Sequence, residues 1–76
     1  MKNKVYMKEF EYFDGENFVT FNIVDMKDET ITVAVTNQGK ISYLEYDLLK
    51  DEKGLYFEYG RNYARININD FEEIDK

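Results

Sequence analysis

The sequence predicts an all-β fold. About six short antiparallel strands form a meander, as a small open barrel or half-sandwich, with one C-terminal helical turn. Three observations carry this reading. Turn signals recur roughly every eight to fifteen residues along a chain of 76. The segments between them are rich in Val, Ile, Thr, Tyr and Phe, residues that suit a pleated, half-buried surface. One segment, Thr30–Thr36, sets Ile31, Val33 and Val35 against Thr30, Thr32, Ala34 and Thr36 in strict alternation. The length allows a single domain, residues 1–76, with a thin core.

Each element has its own reason. Val5–Phe13 is rich in Tyr and Phe, and Asp14-Gly15 after it suits a type I′ hairpin turn. Phe18–Val24 is the return strand, with Val19, Phe21 and Ile23 on one face and Thr20 and Asn22 on the other. Lys27-Asp28-Glu29 turns the chain into Thr30–Thr36, which belongs at the centre of the sheet: so neutral and β-branched a strand would aggregate from an edge. Asn37-Gln38-Gly39-Lys40 closes a second hairpin. Ile41–Lys50 carries two patterns. Ser42-Tyr43-Leu44-Glu45 fits a capping box and Ile41, Leu44 and Leu48 a helical stripe, yet Ile41-Ser42-Tyr43 continues the hairpin, and strand is the preferred reading. Asp51-Glu52-Lys53-Gly54 turns into Leu55–Tyr59, and Gly60-Arg61-Asn62 joins that strand to Tyr63–Ile68. Asn69 and Glu72 fit a final capping box, in which a helical turn carrying Phe71 and Ile74 plugs one end of the sheet.

Composition excludes more than it selects. Without Cys there is no disulfide scaffold, thiolate metal site or Cys nucleophile, and without His the usual general base and commonest zinc ligand are missing. Paired carboxylates are the remaining route to acid–base catalysis, but 16 acids make pairs inevitable, and a thin core leaves little room for the apolar pocket that would raise a pKa. Asp25 to Glu29 and Asp47 to Glu52 lack the order of a calcium loop, and the four glycines sit in separate turns rather than a phosphate cradle. The expectation is no enzyme activity, no cofactor and no metal. The longest apolar run is three residues, as at Val33-Ala34-Val35, and the basic N-terminus lacks the apolar stretch of a signal peptide. With no Asn-x-Ser/Thr acceptor either, a cytoplasmic location without membrane contact is expected.

Three features bear on partners. Gly60-Arg61-Asn62-Tyr63-Ala64-Arg65 holds both arginines of the chain around a tyrosine, residue types that dominate binding hot spots; pairing of Arg61 and Arg65 with cross-strand acids such as Glu58 is the structural alternative. Five of the seven tyrosines (Tyr43, Tyr46, Tyr56, Tyr59 and Tyr63) fall in the later strands, where they either supply contact area or reflect β-propensity. The net charge is −6, with acids spaced along strand segments. That disfavours direct nucleic-acid binding, and favours a basic protein partner or simply solubility. Acids spaced in this way can imitate phosphates. Small acidic phage-encoded inhibitors, including anti-CRISPR and anti-restriction proteins, share this size and composition, though no motif matches a particular family. The functional expectation is a non-enzymatic protein-binding module that blocks a basic nucleic-acid-binding site, with Glu45, Asp47, Tyr56, Glu58, Tyr59, Arg61, Tyr63 and Arg65 as contact candidates. The alternative is a self-assembling β module, a homodimer that covers its aromatic face with a second copy.

Overall fold

A computed structural model of the chain describes residues 8–73. Strand β1 (Lys8–Phe13) turns into β2 (Phe18–Met26), then β3 (Thr30–Asn37) and β4 (Lys40–Asp47). After Leu48 come β5 (Leu49–Asp51), β6 (Gly54–Tyr59) and β7 (Ala64–Asn67), a 3-10 turn at Ile68–Asp70, and the two-residue β8 (Glu72–Glu73). The strands form two antiparallel sheets. The large one has the order β4-β3-β2-β1-β8 and the small one β5-β6-β7. The all-β expectation therefore stands; among the described residues the strands number eight rather than six and form two sheets that do not close, so the open-barrel alternative falls.

Alternation decides which side faces in. Val19, Phe21 and Ile23 of β2 lie beside Ile31, Val33 and Val35 of β3, all buried, and the small sheet covers them through Phe57 and Ile66. Phe57 is the junction: its ring meets Phe21 edge-on at 5.5 Å and stacks on Tyr46 at 4.9 Å. Tyr59 adds an edge contact to Phe21 at 4.9 Å. Offset and T-shaped pairs of this kind add to the area they bury. The strand preference for Ile41–Lys50 holds, and packing explains why. Tyr46, opposite Ile31, packs on the core and stacks on Phe57, while Leu44, opposite Val33 on the same side, stays 41% exposed.

Four details depart from the sequence reading. The β1–β2 connection is a four-residue loop in which Asp14 N–H donates to the Asn17 carbonyl at 3.0 Å and Asp14 Oδ1 accepts the N–H groups of Glu16 (2.9 Å) and Asn17 (2.8 Å). The type I′ pattern of positive φ at both central residues belongs to Gln38 (54°) and Gly39 (82°) instead. Tyr63 lies in the β6–β7 turn with φ of 54°, so the strand starts at Ala64. The final capping box does not form. Asn69 lies inside the 3-10 turn, whose N-cap is Asn67, buried Phe71 packs on Phe10 at 5.5 Å, and Glu72 pairs with Glu9 of β1. Val5 and Ile74 lie outside the described residues. Among those described, no helix is long and apolar enough to cross a membrane.

Candidate protein-binding surface

The core occupies the space between the sheets, so each sheet presents one outer face. Register assigns the large one. Directly opposed residues share a face, which places Glu9, Glu11 and Phe13 with Phe18, Thr20, Asn22 and Asp25, then Thr30, Thr32, Ala34 and Thr36, then Ile41, Tyr43, Glu45 and Asp47. Glu72 joins the row beside Glu9. These positions hold six carboxylates and no Lys or Arg. Asp25 has a neighbour in Lys27 of the following turn, at 3.9 Å with both side chains mostly exposed; no other acid of the face is ion-paired among the described residues. Glu9, Glu11 and Glu72, with Asp70, line an open groove of about 390 Å³ on the β1 flank. Glu45 and Asp47 form the opposite flank on β4. Three strand spacings separate the flanks, about 14 Å at the usual interstrand distance. Between them the floor is Thr20, Asn22, Thr32, Ala34 and Thr36, small, half-buried and uncharged. An exposed aromatic pair, Phe13 and Phe18 at 4.9 Å, closes one end.

The small sheet's outer face pairs one of its acids internally: Asp51 is bound by Arg65, while Glu58, opposite Arg65, has no ion-pair partner among the described residues. Arg65 reaches across β6 to Asp51, with Nη1 donating to Oδ2 at 2.7 Å and Nη2 to Oδ1 at 2.9 Å. Its guanidinium lies 3.8 Å from the centre of the Tyr56 ring, and Nε donates to Asn67 Oδ1. This fork-on-carboxylate geometry over an aromatic ring suits Arg specifically. The hydrogen bonds from Arg65 hold the Asp51 carboxyl well below the ordinary Asp range, and the same pairing raises Arg65. The acid–arginine pairing read from the sequence thus occurs at Arg65, but with Asp51, although Glu58 is the residue directly opposite.

The eight contact candidates consequently spread over several places. Glu45 and Asp47 lie on the acidic face. Tyr56 and Arg65 are engaged in the Asp51 network. Tyr59 turns inward onto Phe21 and Tyr12, where burial first, then the nearby Asp14 charge, raises its phenol pKa. Arg61 is exposed on the β6–β7 turn, without an ion-pair partner among the described residues, and Tyr63 beside it is 71% exposed. One groove of about 240 Å³ does bring Asp47, Glu58 and Tyr63 together with Tyr46 and Leu49. The eight contact candidates leave out Glu9, Glu11, Glu72 and Tyr43, which the register places on the acidic face. The first two were visible as the polar half of Glu9-Phe10-Glu11-Tyr12, whereas Glu72 reaches the face only through a pairing distant in sequence.

The face offers acidic charge along both flanks and at Asp25 on β2, around the uncharged Thr20, Asn22, Thr32, Ala34 and Thr36. Among the described residues no group of three or more His, Cys, Asp or Glu is arranged to hold a metal ion. No family model matches the chain, and comparisons with curated proteins and with solved structures give no significant match.

Proposed function

We propose that this protein is a non-enzymatic, cytoplasmic binding module that docks its large-sheet outer face on a basic surface of another protein, one that otherwise holds nucleic acid. The observation that carries the reading is the division of charge between the two faces among the described residues: six acids and no base on one, an Asp51–Arg65 pair beside a single unpaired acid, Glu58, on the other. Two acidic flanks about 14 Å apart, around an uncharged floor, are comparable in spacing to the phosphate rows beside a duplex groove about 12 Å wide. Opposite potentials of this kind speed encounter and fix orientation.

Competition tests the proposal. The immobilised chain captures its partner from a host extract, and the purified partner is then titrated with a fluorescent duplex or single strand in the presence of this protein. Displacement of the nucleic acid, weakening as salt rises through the Debye-screening range, is expected. A partner that holds both at once sinks the mimicry, and leaves the acids a solubilising role.

A further inference from the structure

We propose that the free edge of β4 accepts an extended basic segment of the partner as an added antiparallel strand; this rests on the function proposed above and states how the partner is gripped. The ladder assigns the edge. In a two-residue hairpin the flanking residues, here Asn37 and Lys40, exchange both backbone hydrogen bonds. The bonded positions of β4 are then Ser42, Leu44 and Tyr46, and the same parity continues to Leu48, whose N–H donates to the Glu29 carbonyl at 2.9 Å. Ile41, Tyr43, Glu45 and Asp47 therefore turn their N–H and C=O groups away from β3. Among the described residues no strand pairs with them, since β4 ends the sheet.

Of the usual protections this edge has charge alone, at Lys40, Glu45 and Asp47. It is eight residues long, contains no Pro, and keeps an unbroken register with β3. Ile41 is 59% and Tyr43 69% exposed, values that leave both side chains available to a neighbour. At the other end of the sheet β8 has only two residues.

Charge chooses the occupant. Along the edge the outer-face side chains read Ile41, Tyr43, Glu45, Asp47. A second copy brings −6 of its own against a face with no cation among the described residues. A strand with Lys or Arg opposite Asp47 and Glu45, and aliphatic residues opposite Tyr43 and Ile41, matches every position. Main-chain bonds then supply affinity and alternate side chains supply selectivity.

The test uses the isotope-labelled full chain and a blocked synthetic peptide, Lys-Thr-Lys-Thr-Val-Thr-Val, with a scrambled peptide of equal composition as control. Amide shifts and exchange protection are expected at Ile41, Tyr43 and Glu45, with the scrambled peptide binding at least about tenfold more weakly. Tyr43→Pro removes an outward N–H while sparing the β3 ladder, and should abolish the protection. Tyr43→Lys, which leaves the backbone untouched, should weaken binding by about tenfold through like-charge repulsion. Peptide shifts centred on Glu9, Glu11 and Glu72 and unchanged by either variant overturn strand addition while leaving the basic-partner reading intact. Self-association in ultracentrifugation that Tyr43→Pro removes assigns the edge to a second copy and overturns the proposal. Silence at every residue overturns it too, and the competition experiment decides the broader function separately.

Discussion

The two outer faces come from one acidic chain and end in different electrostatic states, one holding several unpaired acids and the other only Glu58 unpaired among the described residues. On the small sheet Asp51, Tyr56 and Arg65 saturate one another, so a residue type prized in binding is already spent on the fold. On the large sheet Glu9, Glu11, Glu45, Asp47 and Glu72 meet no cation among the described residues. Net charge does not distinguish these cases; strand register does. A charged side chain bears on function when the fold leaves it unpaired on a surface with room for a partner, and on architecture when a neighbour two strands away completes it.

The largest effect expected is the loss of both faces together. Phe57 holds the sheets to each other, so Phe57→Ala should cost about 3–5 kcal/mol, comparable to the stability of so small a domain. Val33→Asp places an unpaired charge at a fully buried position and should prevent folding at room temperature. Urea unfolding followed by circular dichroism measures both. A Val33→Asp chain as stable as the parent would mean that β3 does not lie in the core.

Charge reversal sharpens the comparison next. Glu11→Lys with Glu45→Lys alters one acid on each flank of the large face. These exposed positions should leave stability within about 0.5 kcal/mol. Association with the captured partner should slow by about tenfold or more, with a smaller change in dissociation. Arg65→Met, on the other face, should lower the melting temperature modestly and leave association unchanged. If Arg65→Met slows association as much as the acidic-face pair does, the binding surface is the small sheet.

Legibility followed the range of the deciding contact. Thr30–Thr36 was readable because its alternation is local, and the same rule gave Phe21 and Ile66 as inward positions. Ser42-x-x-Glu45 offered a local helix signal that tertiary structure overrode, since the Gln38-Gly39 turn pairs β4 with β3 and sets Tyr46 on the core. Asp14-Gly15 misled: the connection is a four-residue loop in which the Asp side chain, invisible to a turn table, captures two N–H groups. The acidic face was half legible. Glu45 and Asp47 stood out, but their union with Glu9 and Glu72 depends on a five-strand order that no periodicity encodes. Arg65 shows the same limit, because Tyr56 lies between it and Asp51 and guides the guanidinium past Glu58.

The smallest effect isolates the Asp51–Arg65 pair by pH. The folded-state pKa of Asp51 is depressed, chiefly by the hydrogen bonds from Arg65, and that of Asp14 is depressed by the N–H groups of Asn17 and Glu16. The unfolded chain therefore binds more protons than the native one as pH falls below about 4, the ordinary Asp value. Stability from these groups is complete above that pH and is lost progressively below it. Asp51→Asn keeps an oxygen to accept the Lys53 N–H, which Asp51 Oδ1 holds at 2.9 Å, but removes the titrating charge. It should flatten part of the decline in unfolding free energy between about pH 4 and pH 2 while lowering the neutral-pH plateau slightly. Arg65→Met should flatten the same part, because the group that depresses Asp51 is gone. The two changes combined should flatten no more than either alone, as expected of one shared interaction. An acid limb that Asp51→Asn leaves unchanged would mean the pair is not formed in solution, and the small sheet would then present a free arginine and a free carboxylate after all.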